Sequence, residues 1–148
     1  MNGRIMELVG HVHLTWRRRV ARDLAPFGIA PKQIYVLRKL AASSLTPSEL
    51  AELLFADRPT VSSMLRTLER ARWVSRRRDP EDGKRVIVEL TAAGRAKLAA
   101  VPEALWRTGK TSFDPEAGLT RPERVELVRL LEKLDAHVGR ATDEEAAR

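Results

Sequence analysis

The hydrophobic positions in the first third of the chain recur every three or four residues, which is the spacing of an amphipathic helix. One such series begins at Ile5 and ends at Leu24, so it predicts a first helix with one apolar side. The segment Pro26-Phe27-Gly28 ends this helix, because proline and glycine favour a chain break. A second helix is predicted to begin at Ala30-Pro31. Its apolar side consists of Ile34, Leu37, Leu40 and Ala41.

Two further helices, separated by a short turn, are predicted in the middle of the chain. Thr46-Pro47-Ser48-Glu49 is a capping box, in which the Thr46 hydroxyl and the Glu49 carboxylate each bind the backbone N–H of the other residue. Asp57 is a favourable N-cap for the next helix, which we expect to reach Trp73. The apolar side of that helix contains Val61, Met64, Leu65 and Leu68. The opposite side contains Pro59, Ser63, Arg66 and Arg70, flanked by Ser62 and Thr67.

A β-hairpin is predicted directly after these helices. The runs Val74–Arg78 and Lys84–Leu90 are rich in β-forming residues, and the turn Asp79–Gly83 lies between them. Strand alternation places Val86, Val88 and Leu90 on the side that seals against the helices, while the arginine-rich strand stays in solvent. The order of capped helix, helix and basic hairpin over Thr46–Leu90 predicts a winged helix-turn-helix. The fold class is therefore mainly α with a small β-wing.

The last third of the chain is again helical in pattern. Thr91 caps a helix that we expect to extend to about Lys110, with a bend or break near Pro102. Thr120-Arg121-Pro122-Glu123 is a second capping box. It begins a last helix, whose acidic end Asp143–Glu145 is expected to fray. The apolar positions of that helix have coiled-coil spacing at Leu127, Leu131, Leu134 and Val138.

The terminal helices carry more apolar surface than a winged domain of about 60 residues can cover. We therefore predict a symmetric homodimer in which the terminal helices of both chains interleave. An intramolecular bundle is the alternative. The predicted organisation is an N-terminal dimerisation helix at 1–30, a winged DNA-binding domain at 31–91 and C-terminal dimerisation helices at 92–148, which form one compact unit with 1–30.

The charge distribution favours nucleic acid as the partner. The chain has 148 residues and a net charge of +7. Eight basic and four acidic residues lie from Arg66 to Arg85, a net charge of +4 in the predicted wing region. The serine, threonine and arginine side chains on the exposed side of the preceding helix suit a major groove, because they can approach base edges. A sequence-independent architectural DNA-binding or RNA-binding protein remains the alternative.

Several other classes of protein are not expected. The chain has no cysteine, which excludes disulfides, thiolate zinc sites and thiol redox sensing. It has no phosphate-binding glycine loop or nucleophile motif, so we do not expect an enzyme or a cofactor. His11 and His13 do not face each other on a helix and His137 has no local partners, so no metal site is predicted. The sequence has no apolar run long enough for a membrane span or a leader, and we expect a cytoplasmic protein.

The order of these elements resembles the MarR family of bacterial transcriptional regulators over nearly the whole chain. The most specific segments are Asp57–Ser62 with Leu68-Glu69, and Asp79–Lys84 followed by Leu90–Gly94. The resemblance implies an obligate dimer that binds a near-palindromic operator in double-stranded DNA, commonly as a repressor that a small ligand releases. It places Pro59, Thr60, Ser62, Ser63 and Arg66 in the major groove and Thr46 and Ser48 at the DNA backbone.

One position of the wing departs from the family pattern. The family has an arginine two positions after an aspartate, at the minor groove, whereas Lys84 occupies that place after Asp82. Lysine lacks the planar fork of arginine, so Arg85 or Arg78 could take over its role. The complete set of predicted DNA contacts is Thr46, Ser48, Arg58, Pro59, Thr60, Ser62, Ser63, Arg66, Arg70, Arg76, Arg77, Arg78, Lys84 and Arg85.

An effector pocket is implied by the same resemblance, since family pockets lie between the dimer helices and the winged domain. We predict that an aromatic or anionic small molecule binds there. The predicted lining is His13, Trp16, Arg17, Tyr35 and Trp106. The alternative is that these aromatic residues belong to the core.

Overall fold

The computed structural model describes residues 3–107 and 114–147, with the backbone alone at 106 and 107. The chain divides into two compact units, Met1–Thr111 and Ser112–Arg148. We describe each unit by itself.

The first unit begins with two helices that match the predicted pattern. Helix α1 spans Arg4–Leu24 and is followed by a short 3-10 turn, Ala25–Phe27. Gly28 ends this turn with a left-handed backbone (φ 67°), a conformation that glycine adopts without steric cost. Helix α2 spans Pro31–Ala42. It buries Val36 in addition to the predicted Ile34, Leu37 and Leu40, whereas Ala41 is half-buried.

Helices α3, Pro47–Leu54, and α4, Arg58–Arg70, form the helix-turn-helix. The expected end of α4 at Trp73 was wrong, because the helix ends at Arg70. Arg72 adopts a left-handed backbone (φ 62°), and the Trp73 N–H donates to the Leu68 carbonyl at 3.0 Å. This arrangement is a Schellman-type ending, which turns the chain out of the helix and into the wing.

The wing is an antiparallel pair, β1, Val74–Arg78, and β2, Val86–Leu90. Leu45 pairs with Val88 on the other edge of β2 through two backbone hydrogen bonds of 3.1 and 2.8 Å, a contact that the sequence did not predict. The predicted alternation was partly wrong: Ile87 and Val88 are buried, whereas Val86 and Leu90 are half-buried. Helices α2 and α3 and the helix that begins after β2 all pack against this strand. Adjacent residues of a strand point to opposite faces, and Ile87 and Val88 are both buried, so the middle of β2 is covered on both faces.

The predicted long helix after the wing is divided, as expected near Pro102. Helix α5 spans Ala92–Ala100 and α6 spans Glu103–Arg107. The Thr91 hydroxyl caps α5 by accepting from the Gly94 N–H at 3.0 Å. The predicted continuation to Lys110 lies outside the described residues.

The core of the first unit lies between α2, α3, α4 and β2, and the end of α1 joins it. Its side chains are aliphatic, and among the described residues no charged or polar residue is buried. The most completely covered members are Leu24, Leu37, Leu50, Leu65, Leu68 and Val88.

The described part of the second unit contains one long helix, α7, Arg121–Ala146. The Glu123 carboxylate accepts from the Thr120 backbone N–H at 2.7 Å, which confirms a cap at this end. The expected fraying of Asp143–Glu145 was wrong, since these residues are helical and the Asp143 carbonyl accepts from the Ala147 N–H at 3.1 Å. Alanine and glutamate are good helix formers, which accounts for the extension.

Candidate nucleic-acid interface

Helix α4 is divided into a buried and an exposed side, as its sequence predicts. Val61, Leu65 and Leu68 are buried in the core. The exposed side presents Pro59, Ser63, Arg66, Thr67 and Arg70 to solvent, with Ser62 half-buried beside them. Short hydroxyl side chains and arginines therefore form the outer surface of the second helix of the helix-turn-helix, a surface that can reach base edges in a major groove.

The N-termini of both helices in the motif are capped. The Thr46 hydroxyl accepts from the Glu49 N–H at 3.2 Å, and the Glu49 carboxylate accepts from the Thr46 N–H at 2.8 Å. The Asp57 carboxylate accepts from the Thr60 N–H at 2.8 Å. Hydrogen bonds from the Thr60 side chain and backbone hold the pKa of Asp57 below its ordinary value. The two helix starts are thus held in fixed positions by side chains that the sequence identifies.

A cleft of about 370 Å³ lies between α3, α4 and β1. Several of the predicted DNA contacts, which come from separate elements, line this cleft. The cleft is lined by Pro47, Ser48, Arg58, Pro59, Val61, Ser62, Leu65 and Arg76.

The arginines of β1 all have partners within the chain. Arg76 donates to the Glu69 carboxylate from Nε at 2.8 Å and from Nη2 at 2.9 Å. Arg77 pairs with Glu89 of β2 at 2.8 Å. Arg78 donates to the carbonyl of Gly83 in the turn at 3.2 Å. The sequence did not predict any of these partners, because each lies on another element or in the turn and carries no pattern of its own.

The two cations that precede β2 differ in their surroundings. Arg85 lies 3.4 Å from a Glu49 oxygen and 4.0 Å from an Asp79 oxygen. The Lys84 backbone N–H donates to Asp82 at 3.2 Å, but within 3–107 and 114–147 its ammonium has no hydrogen bond or ion pair. Of these two cations, Lys84 is therefore the one whose charge is open to an external anion.

The predicted effector-pocket residues come from separate elements. His13 and Arg17 are exposed on α1 and Trp16 is half-buried there. Tyr35 is half-buried on α2, with the Arg38 guanidinium 5.6 Å and the Lys39 ammonium 5.3 Å from its ring centre. Tyr35 lines a cavity of about 510 Å³. The other lining residues of that cavity are Leu45, Glu49, Glu52, Leu53 and Phe55. The Trp106 side chain lies outside the described residues, so this pocket stays a prediction.

No group of three or more histidine, aspartate or glutamate side chains in the described part of the chain is arranged to hold a metal ion. None of the helices in residues 3–107 and 114–147 contains an apolar stretch of the length that a membrane span requires.

The capped helix pair, the exposed α4 surface and the two-stranded basic wing define a winged helix-turn-helix protein. Residues 27–85 match the family model described as the MarR family. The HTH-type transcriptional repressor Rv2887 of Mycobacterium tuberculosis is 34% identical over 128 residues, which cover 86% of this chain and 90% of that protein.

Solved structures agree with this assignment. A mutant of Escherichia coli MarR complexed with operator DNA has a TM-score of 0.73 and 29% identity, and the match covers 89% of this chain and 94% of that chain. The S. aureus MepR–DNA complex has the same fold with a TM-score of 0.73 at 24% identity, covering 93% of this chain and 98% of that chain. This chain belongs to the MarR family, whose members are transcriptional regulators and not enzymes. The predictions of family, fold class and non-enzymatic function are confirmed.

Proposed function

We propose that this chain is a ligand-responsive transcriptional repressor that binds a palindromic operator in double-stranded DNA as a homodimer. The observation that carries the proposal is the exposed side of α4, where Ser63, Arg66 and Arg70 are free of the core. Support comes from the likeness to E. coli MarR, whose solved complex contains operator DNA. Binding to chromosomal DNA would place the protein in the cytoplasm.

The proposed contacts fall into two groups. Arg66 and the α4 hydroxyls of Ser62 and Ser63 contact base edges, since arginine can bind guanine O6 and N7 together. Thr46 and Ser48, at the start of α3, contact phosphates, because the backbone N–H groups and the dipole at a helix N-terminus favour anions. Arg58, Pro59, Thr60 and Arg70 complete the surface of α4. The wing adds positive charge beside it.

The homodimer is proposed from apolar side chains that the single chain leaves uncovered. In α1, Ile5 is 66% exposed and Val12 is 63% exposed. In α7, the predicted seam residues Leu127, Leu131 and Val138 are also exposed. Exposed apolar rows of this kind mark association surfaces. We therefore assign dimerisation to 1–30 and 92–148 and DNA binding to 31–91.

Release from DNA is proposed to follow from a small aromatic or anionic ligand bound near Trp16, Tyr35 and Trp106, with His13 or Arg17 as its polar partner. The chain has no cysteine, which removes thiol oxidation as a signal. Such a ligand would release DNA if it bound more tightly to a dimer whose two α4 helices no longer match the spacing of the operator half-sites. The shift in population cannot exceed the difference in the ligand's affinity for this dimer and for the DNA-binding dimer.

The direct experiment is selection of bound duplexes from a random pool, followed by titration of the recovered site and of a scrambled duplex at several salt concentrations. The expected result is a palindrome bound by two chains, with Kd at least about a thousandfold below that of the scrambled duplex. Equal affinity for both duplexes would contradict the proposal and favour the architectural alternative. Phenolic compounds and aromatic acids, added to the complex while tryptophan fluorescence is followed, test the effector.

A further inference from the structure

We propose that the wing is fixed to the helix-turn-helix by two carboxylate–guanidinium pairs, and that Arg76 is a positioning residue of the wing. The proposal rests on the DNA-binding function proposed above. Its principal pair joins Glu69 of α4 to Arg76 of β1, and its second pair joins Glu49 of α3 to Arg85 before β2. Each helix of the motif thereby holds one side of the hairpin.

Of the two pairs, Glu69–Arg76 has the geometry that best fixes the orientation of β1 relative to α4. Both carboxylate oxygens accept, one from Nε at 2.8 Å and the other from Nη2 at 2.9 Å. Two parallel charge-assisted hydrogen bonds restrict rotation as well as distance. The Arg76 and Glu69 side chains are 31% and 33% exposed, so solvent screens the pair only in part. The pair therefore sets the angle between the exposed surface of α4 and the first strand of the wing.

The Glu49–Arg85 pair is longer, but Glu49 has a second contact. One Glu49 oxygen lies 3.4 Å from Arg85 Nη2, while the other accepts from the Thr46 N–H at 2.8 Å. The Arg85 backbone is itself fixed, since its N–H donates to the Asp82 carbonyl at 2.9 Å and its carbonyl accepts from the Asp79 N–H at 2.8 Å. The base of the wing tip is thus linked to the capped start of α3.

This arrangement divides the basic residues of the wing by role. Arg76 would have to give up two short hydrogen bonds to Glu69 before it could offer the same groups to a phosphate. Lys84 has no such partner among the described residues. We therefore assign the external anion contact at the tip to Lys84 and the alignment of the tip with α4 to Arg76.

The direction in which Glu69→Gln changes the operator Kd distinguishes a positioning role of Arg76 from a phosphate contact. If Arg76 bound a phosphate, Glu69→Gln would tighten DNA binding, because it removes a negative charge and releases the guanidinium. If the pair positions the wing, Glu69→Gln raises the operator Kd by roughly fivefold or more. Glu81→Gln is the matched control, since it makes the same charge change in the wing turn, where the carboxylate has no ion pair among the described residues. It should leave the Kd unchanged or lower it.

A double-mutant cycle on the operator adds an independent measurement. Arg76→Gln should raise the operator Kd about as much as Glu69→Gln, and the double variant should be no worse than either single variant. The slope of log Kd against log salt should stay at the wild-type value, whereas loss of a phosphate contact would lower it by about 0.9. Exchange of the two residues, Glu69→Arg with Arg76→Glu, should recover affinity relative to either single reversal. Thermal unfolding of each variant confirms that it is folded.

Three results would overturn the proposal: tighter binding by Glu69→Gln, additive effects in the cycle, or a lower salt slope for Arg76→Gln. The proposed function fails in a different way, since wild-type protein would then bind operator and scrambled duplexes equally. The pair can still be judged in that case. Hydrogen exchange of the β1 amides should be faster in Glu69→Gln than in Glu81→Gln, and equal exchange rates would count against the pair.

Discussion

Gly94 of α5 lies against the backbone of Trp73, so that a Cβ placed at position 94 would stand 2.1 Å from the Trp73 carbonyl oxygen. The Cβ at position 94 would also stand 2.6 Å from the Leu90 side chain. The Trp73 carbonyl accepts a hydrogen bond from the Thr91 N–H at 3.0 Å, so it cannot move away from a new Cβ without losing that bond. The close approach joins the start of α5 to the point where the chain leaves α4 for the wing.

We predict that Gly94→Ala lowers the free energy of unfolding by about 1–3 kcal/mol, because the added methyl group must displace the backbone of Trp73. Urea unfolding followed by circular dichroism measures the change. Gly83→Ala is the control, since no atom lies within 4 Å of a Cβ at that position in the wing turn. If Gly94→Ala were as stable as Gly83→Ala, α5 could shift away from the Trp73 backbone at no cost in free energy, and the prediction would be wrong.

Phe55, in the turn between α3 and α4, is a second position where one substitution is informative. Its backbone is left-handed (φ 49°) and its side chain is 99% exposed. A bulky residue in this conformation is strained by about 1–2 kcal/mol, and its ring gains no burial in return. Phe55→Asn should therefore raise the free energy of unfolding by roughly 0.5–1 kcal/mol, because asparagine tolerates this conformation.

Thermal or urea unfolding at equal protein concentration checks the Phe55 prediction. Arg72→Asn is a companion variant, because Arg72 also has a left-handed backbone (φ 62°) and is exposed. A loss of stability in Phe55→Asn would mean that the ring packs on something in solution.

The local parts of the fold were predictable from sequence, whereas the long-range contacts were not. Caps at Thr46, Asp57 and Thr91 depend on residues three positions apart, so their patterns are visible in the chain. The Leu45–Val88 pairing and the Glu69–Arg76 pair join elements whose proximity follows only from the packed fold. The number of arginines in the sequence predicted a positively charged wing, but the sequence did not show which guanidinium groups already have carboxylate partners.

The roles of two arginines can be separated by their effect on specificity. Arg66 projects from the exposed side of α4, whereas Arg77 lies on the hairpin and donates to Glu89 through Nε alone, so that among the described residues its Nη groups are not engaged and can meet a phosphate. Arg66→Ala should cost about 1–3 kcal/mol on the operator and relax base preference there. Arg77→Ala should weaken all duplexes alike and lower the salt slope by about 0.9. Equal losses on operator and scrambled DNA for Arg66→Ala would contradict the assignment.

The tip of the wing gives a gain-of-affinity prediction. Lys84→Arg should lower the operator Kd, because a guanidinium enters a narrow minor groove at a lower desolvation cost than an ammonium. Titration of the operator by both proteins at one salt concentration measures the effect. Arg85→Ala is the companion variant: it removes the contacts with Glu49 and Asp79, so it should weaken binding without changing the slope of log Kd against log salt, whereas Lys84→Ala should lower that slope by about 0.9. A lower slope for Arg85→Ala would move the groove contact to Arg85.

The dimer can be tested on α7, whose sides differ in polarity. Leu131 is 41% exposed in the seam row, while Lys133 lies on the polar side with Glu126 and Arg129, which pair at 2.6 Å. Light scattering of the wild-type protein should give twice the chain mass. Leu131→Glu should give a monomer or a weakened dimer, because it places a charge in the apolar row. Lys133→Glu, its control, should remain dimeric. A folded wild-type monomer at micromolar concentration would refute the proposed assembly.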